Sequence, residues 1–468
     1  MRRYGADRVI DLDGGNPAGS RVWTWREWGV IFATAVLLRT LVAFVLLRSM
    51  PLMDDALDYY QFGVELLTHF PGVRAYYWPP GNSLVLAGMF AIFGTSVTVA
   101  RVLMLLLGVG GVVFIMLIGC RVTRDAAARK AVSWIAALYM PAVMLAGQSS
   151  SQHLAALCML ALAYFGLRAA EKGSARDFML AGLAFGVGCL TRPSMASVGP
   201  FLVAASLVSM RDGRIGRKAL GVGLFAAVAA AVIIPVLLHN AAYRAGLTIS
   251  TNNERNFFLG NNPYTPDYKT WHLGQRALSE LDPETRAYLQ GMYSRPDRRQ
   301  AMTAAALHYI VRHPARTAVR TLNRITSFWG FDYLGSRNIQ RSSNWSTMGL
   351  LPLLALEAGN YIAVMILFIT GFFLSADRAA PFWRFWLLVL AVAYQIPYAL
   401  AFSGGTYHFP VVGLLIPLAG VAVSGLFRGG GVRCGWSRLR QNRAALATII
   451  AFIIIQLQYV YYMRLLRG

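Results

Sequence analysis

The chain has 468 residues, of which 56% are hydrophobic and 14% charged, with a mean hydropathy of +0.48 and a formal net charge of +23. That apolar content excludes a soluble globular protein and indicates a polytopic membrane protein. Much of the basic excess falls in short loops between apolar segments, where Lys and Arg set topology and meet anionic headgroups, so nucleic acid is not the partner it points to.

In chain order, the stretch up to Trp28 is polar and lacks a signal-peptide pattern, so the first span is expected to act as an uncleaved anchor. Apolar segments that suggest spans cover residues 28–47, 97–119, 131–147, 151–168, 176–191, 194–210, 219–239, 347–374, 385–402, 408–426 and 444–463. Against the roughly 20 residues a crossing needs, they predict an all-α polytopic bundle of about 11 transmembrane helices. Ser83 to Phe93 is apolar but too short to cross, and it reads as a juxtamembrane or partly embedded helix. With the amino terminus inside, the loops Arg121–Lys130, Arg168–Arg176, Arg211–Lys218, Asp377–Arg384 and Arg428–Arg443 carry four, three, four, two and five basic residues. The alternate short loops, Gly147–Ser150, Thr191–Pro193 and Ser403–Tyr407, hold only Arg192. This bias places residues 48–82, the segment 240–346 and the Gly404–His408 turn on the extracytoplasmic side of an inner (plasma) membrane, where they can converge on one site.

The chain therefore divides into an amino-terminal membrane module (1–239), an extracytoplasmic soluble insertion (240–346) and a carboxy-terminal membrane module (347–468). In the insertion, residues 252–263 are rich in Asn and Gly and read as looped. Asp297 to Trp329 has helical character interrupted near His313-Pro314 and sets Arg312, Arg316, Arg320 and Arg324 on one face, which would suit lipid phosphates. The four cysteines, Cys120, Cys158, Cys189 and Cys434, lie in or beside apolar segments, which argues against a disulfide framework, and no metal-ligand spacing appears.

Pro51 to Gly81 is the stretch with the most chemistry, holding Asp54, Asp55 and Asp58 within five residues. An acidic cluster beside a span is costly unless water, a partner charge or a chemical task holds it. Asp54 or Asp55 can cap a short helix through Leu67 while Asp58 sits on its wet face. Alternatively, one carboxylate acts as a base, which works best when partial burial raises its pKa from about 3.9. The run Tyr76-Tyr77-Trp78-Pro79-Pro80-Gly81 fits an interfacial aromatic belt, yet a belt does not require Pro-Pro-Gly, and the aromatics could stack on a sugar ring. Arg39 and Arg101 lie in spans, where snorkelling or pairing, for example with Glu357, competes with a functional role. Arg192 either caps a helix end or binds phosphate. Gln148, Gln152 and His153 flank another outer turn, and Tyr407 and His408 precede the span that begins Phe409-Pro410.

These residues carry a family resemblance. Asp55-Ala-Leu-Asp58-Tyr59, Trp78-Pro79-Pro80-Gly81 and Phe93-Gly94-Thr95-Ser96 with Ala100-Arg101 resemble the opening of GT-C membrane glycosyltransferases of the protein-mannosyltransferase and aminoarabinose-transferase type. Leu190-Thr191-Arg192-Pro193, Gly260-Asn261-Asn262-Pro263 and His313-Pro314 through Phe328-Trp329 resemble later segments of that family. The resemblance implies a fold of many transmembrane helices and a first outer loop bearing the catalytic Asp. It also implies inverting transfer of a sugar from a polyprenyl-phosphate donor to a lipid, polysaccharide or protein acceptor. The family's Asp with Tyr four residues on matches Asp55 and Tyr59, which makes Asp55 the implied base and Asp54 its reserve. Asp58, Tyr59, Tyr77, Trp78, Arg192, Tyr407 and His408 are the expected substrate-binding residues. The chain departs from the pattern at Ala56, where many relatives have Glu, and at Thr406-Tyr407-His408, where Arg-Tyr is often found. Aminoarabinose-transferase specificity in particular is not supported.

On this reading the leaving phosphate needs charge stabilisation more than a proton, with Arg192, His408 or an Arg of the 312–324 helix as its partner. Membrane lipids are further partners. Asp54 and Asp55 together offer weak ligands for a divalent cation, but no full ligand set is visible. One rival is an O-antigen polymerase or ligase, expected to rely on outer Arg and His without an acidic first loop. The other is a transporter or flippase of lipid-linked sugars, expected to line several spans with polar residues, whereas most charges here sit at span ends.

Overall fold

The computed structural model describes residues 24–209, 215–267, 278–342, 347–374, 380–428 and 432–465, and every regular element among them is helical. The polar stretch before Thr24 and parts of the basic loops at 211–218, 377–384 and 428–443 lie outside the described residues. Helix starts follow local chemistry. Thr24 and Glu27 form a capping box for Trp25–Thr40, and Ser96 Oγ accepts from the Val99 N–H at 3.1 Å to open Val97–Val122. Asp125 and Ser174 cap Ala126–Ala137 and Ala175–Thr191 in the same way.

Among the described residues, nine helices are long and apolar enough to cross a membrane, fewer than the sequence suggests. The difference lies at two expected spans. Residues 176–191 form the 17-residue helix Ala175–Thr191, and residues 194–210 divide into the 3-10 turn Pro193–Val198 and the 11-residue helix Gly199–Ser209. Pro193 lacks the N–H that would continue the first helix, so the chain turns there. The Gly81–Phe93 helix has 13 residues and is about 20 Å long at the usual rise, short of a crossing. Cys120, Cys158 and Cys189 are buried.

Three ionisable residues of the spans hold backbone groups. Ala126–Ala137 ends where Pro141 has no N–H to offer the Ala137 carbonyl, and Arg39 donates to that carbonyl at 3.3 Å as well as to Ala35 O at 3.0 Å. Arg39 is thus not paired with Glu357. Glu357 instead accepts from the Gly335 and Ser336 N–H groups at 3.2 and 2.7 Å, capping the Leu334–Ser342 helix with a buried carboxylate. Arg101 donates to Met50 O at 2.9 Å and ties the first loop to the end of Val97–Val122.

The arginine stripe does not face lipid phosphates as expected. On the Pro314–Phe328 helix, Arg320 and Arg324 are buried and clasp the loop that follows the short helix Asn253–Gly260, which replaces part of the looped segment read from the sequence. Arg320 donates to Asn262 O and Asp267 Oδ1, each at 2.8 Å, and Arg324 donates to Leu400 O at 3.0 Å and to Gly260 O. Arg316 joins Asp267 at 2.7 Å. Val319 and Leu322 on the opposite side are exposed, so the amphipathic pattern is real and its basic side is the inward one. Gly260 is required at this junction because a Cβ there would lie 1.7 Å from Ala401 O. Gly260→Ala is expected to cost about 1–3 kcal/mol by overpacking and to lower the melting temperature in detergent. Gly223→Ala, where a Cβ meets nothing within 4 Å, should leave it unchanged or slightly raised.

Candidate active site

The acidic loop enters the Asp55–Thr68 helix at Asp54, whose backbone takes φ 51° and ψ −140° and whose side chain makes no capping hydrogen bond. A non-glycine residue in such a conformation is strained, so the fold holds Asp54 where capping does not explain it. The helix is pinned by Ser83 Oγ, which donates to Tyr59 O at 2.9 Å, and by the Tyr59 ring against Trp78 at 6.0 Å. Trp78-Pro79-Pro80 turns the chain into Gly81, and Gly81 sits directly on the end of Ala175–Thr191. A Cβ at Gly81 would meet Thr191 Oγ1 at 2.5 Å and Thr191 N at 2.7 Å. This close approach brings the acidic loop beside Arg192.

A cavity of about 750 Å³ forms there. Its wall includes Met50–Ala56, Tyr59 and Trp78 from the first loop, Arg192, Asn252, Arg255 and Asn256 from the insertion, and Gly404–Tyr407 from the late turn. The three segments that topology assigns to one side therefore meet. Of the expected site residues, Asp54, Asp55, Tyr59, Trp78, Arg192 and Tyr407 line the cavity. Asp58, Tyr77 and His408 do not. Asp58 is exposed, and Tyr77 is exposed and edge-on to Trp78. His408 is buried, stacked on Tyr361 at 4.4 Å with its Nδ1 2.8 Å from Phe328 O, and so packs behind the wall.

Electrostatically the site sets Asp55 against Arg192 within a wall that also carries Asp54, Asp332, Arg101, Arg255 and Arg337. The Asp55 side chain is exposed to water at the cavity, yet the protein atoms packed around it desolvate it enough to raise its pKa from the ordinary 3.8, with Arg192 pulling in the opposite direction. Burial also raises the Tyr59 hydroxyl to about 12. Arg192 lies 5.7 Å from the Tyr407 ring centroid and 3.4 Å from the Tyr398 hydroxyl. Its Nε is buried without a hydrogen-bond partner, and it makes no ion pair among the described residues. Arg320 and Arg324, considered for the phosphate, direct their donors at the insertion loop instead. No third metal-capable side chain joins Asp54 and Asp55 among the described residues, so the donor set does not fit a tightly held cation.

The sequence reading missed Arg255, Asp332 and Arg337, which also line the cavity. Asp332 had a signal, as a carboxylate in Trp329-Gly330-Phe331-Asp332-Tyr333 between helical segments. Arg255 was hidden by an Asn-rich stretch that reads as coil.

With that geometry in hand, residues 78–239, about a third of the chain, match the family described as dolichyl-phosphate-mannose-protein mannosyltransferase. The match starts downstream of Asp55 and includes Arg192. No curated protein matches in sequence. The structure of ArnT from Cupriavidus metallidurans bound to undecaprenyl phosphate aligns with a TM-score of 0.52 at 18% identity, over 95% of this chain and 73% of that one. The archaeal oligosaccharyltransferase AglB from Archaeoglobus fulgidus, in complex with an inhibitory peptide and a dolichol-phosphate, aligns with a TM-score of 0.51 at 13% identity, over 94% of this chain and 55% of that one. The apo form of the Archaeoglobus fulgidus oligosaccharyltransferase gives 0.52 at 15%, over 94% and 56%. The chain has the GT-C fold. It spans about half the length of the archaeal proteins, and within the GT-C fold its cavity lies where the first loop, the insertion and the late turn meet.

Because folding raises the pKa of Asp55 above its unfolded value, ionising this carboxyl costs stability above the raised pKa, and the cost disappears as pH falls toward 3.8. Asp55→Asn should therefore melt higher than wild type at neutral pH, with the difference shrinking on acidification. A variant less stable at neutral pH would mean that the attraction of Arg192 outweighs burial.

Proposed function

We propose that this chain is an inverting glycosyltransferase. It moves a sugar from a polyprenyl-phosphate donor to a lipid, glycan or protein acceptor on the extracytoplasmic side of an inner membrane. The observation that carries the reading is the pairing of Asp55 and Arg192 on one cavity, an acid raised by burial beside a cation with no carboxylate of its own. The charge bias of the loops supports the side, and the GT-C fold supports the reaction class. A three-part division at residues 239 and 346 fits the same scheme, with the insertion closing over the first loop.

In this mechanism the acceptor hydroxyl oxygen attacks the anomeric carbon of the donor sugar while its proton passes to the Asp55 carboxylate. The bond from that carbon to the phosphate oxygen breaks on the opposite face, and its electrons leave with the lipid phosphate. Arg192 stabilises the charge that develops there, and the stacked Tyr407 and Tyr398 keep the guanidinium in place. Asp54 lies beside the base, and Tyr59 and Trp78 form the aromatic wall on which the sugar packs.

With a lipid-linked sugar and membrane acceptor, Asp55→Asn is expected to lower the transfer rate by about a hundredfold or more while remaining folded. Full activity in that variant would remove Asp55 from the mechanism. Arg192→Gln is expected to lower kcat by about a hundredfold. Since Arg192 lowers the pKa of Asp55, its loss should also move the acid limb of the pH-rate profile upward.

A further inference from the structure

Arg101 Nε and Asn252 Oδ1 are atoms on the cavity wall that lack a hydrogen-bond partner in side chains at least nine-tenths buried, and three more side chains share the property. They are Gln148 at 9% exposure with its Nε2, Gln152 at 3% with its Oε1, and Asp332 at 7% with its Oδ2. Buried polar atoms are satisfied in the great majority of cases, so unsatisfied ones gathered along a cavity are where a polar ligand fits. The fold orients Gln152 and Asp332. Gln152 Nε2 donates to Thr406 O at 3.1 Å, which leaves its Oε1 as the free acceptor. Asp332 Oδ1 accepts from the Tyr333 and Leu334 N–H groups at 2.8 and 3.1 Å, and its other oxygen lies near the Thr406 side chain. Gln152 and Asp332 therefore meet at Thr406, and Gln148 opens the same turn that leads into the Gln152–Lys172 helix.

The backbone beneath Asp332 is equally constrained. The Phe331 N–H donates to Gln456 Oε1 at 2.9 Å, and Gly405 lies so close that a Cβ would be 2.5 Å from Phe331 O. One donor and two acceptors at the edge of a cavity that also holds the Trp78 ring match the hydroxyls of a sugar.

We propose that Gln148, Gln152 and Asp332 form a hydroxyl-recognition subsite for the sugar ring of the donor. This rests on the glycosyl-transfer reading above, and it adds the residues that distinguish a sugar-bearing lipid from a bare one. Asp332 takes the strongest of the three contacts because its acceptor is a carboxylate. Loss of the contact leaves the lipid phosphate and Arg192 untouched.

The test compares binding of undecaprenyl phosphate with undecaprenyl-phosphate mannose and undecaprenyl-phosphate glucose to the purified full chain in detergent. At least one sugar-bearing lipid is expected to bind wild type about tenfold more tightly than the bare lipid. Asp332→Asn and Gln152→Leu should each remove most of that increment while binding the bare lipid as wild type does. Two variants on different elements guard against one that fails to fold, and a melting curve checks each. A sugar increment that survives both substitutions, or no increment with either sugar, overturns the subsite. Failure of the transfer reading shows differently, as a wild-type protein with the full increment that transfers no sugar to any acceptor.

Discussion

The contact on which the site depends is the packing of Gly81 against Thr191. Nothing larger than hydrogen fits at Gly81, because Thr191 N and Oγ1 already occupy the space a methyl would need. Two segments more than a hundred residues apart in sequence are thereby held at backbone distance. One carries Asp55 and the other carries Arg192, so a steric fact about a glycine becomes an electrostatic fact about an acid and a base. The Pro-Pro pair before Gly81 makes the approach rigid.

Charge in the rest of the molecule is handled differently. Arg39 supplies the donor that Pro141 cannot, Glu357 caps a helix, Arg320 and Arg324 hold the insertion loop, and Arg168 is paired with Asp177. Each of these groups would be expensive to bury alone, and each has a partner that the fold itself creates. Asp55 is left with a raised proton affinity, Arg192 keeps an unpartnered Nε, and Asp332 keeps an unpartnered oxygen. Unpartnered atoms occur elsewhere too, Arg39 Nε and Arg324 Nε among them, but those at the cavity border a space that a ligand can enter.

How much of this was legible in the sequence depended on the range of the interaction. Apolar length and loop charge are local, and they gave the helical class, most of the spans and the segments that meet at the cavity. Span number was misjudged at 176–191 and 194–210, because composition there is apolar enough while Pro193 divides the stretch into helices of 17 and 11 residues. The arginine stripe shows the same limit. Spacing placed Arg316, Arg320 and Arg324 on one face correctly, but which way that face points depends on the Gly260 and Asn262 carbonyls and Asp267, 49 to 64 residues earlier. The role of Glu357 was beyond reach for a similar reason, since its partners include backbone N–H groups that no sequence pattern advertises.

The cavity's composition connects these points. Leu47, Met50, Leu52, Met53 and Ile455 supply apolar wall, whereas Arg192, Asp55, Gln152 and Asp332 supply polar wall. A ligand that satisfies both is amphipathic, with an apolar portion near the spans and a polar portion that meets the loops. A small polar solute would leave the apolar wall wet, and a simple lipid would leave Asp332, Gln152 and Arg192 unsatisfied. The same pairing also explains why the loops, rather than the spans, carry the unusual residues. In the apolar layer an unpartnered carboxylate would be too costly, but at the mouth of the bundle it can be recessed enough to shift its pKa while remaining within reach of water and of an incoming hydroxyl.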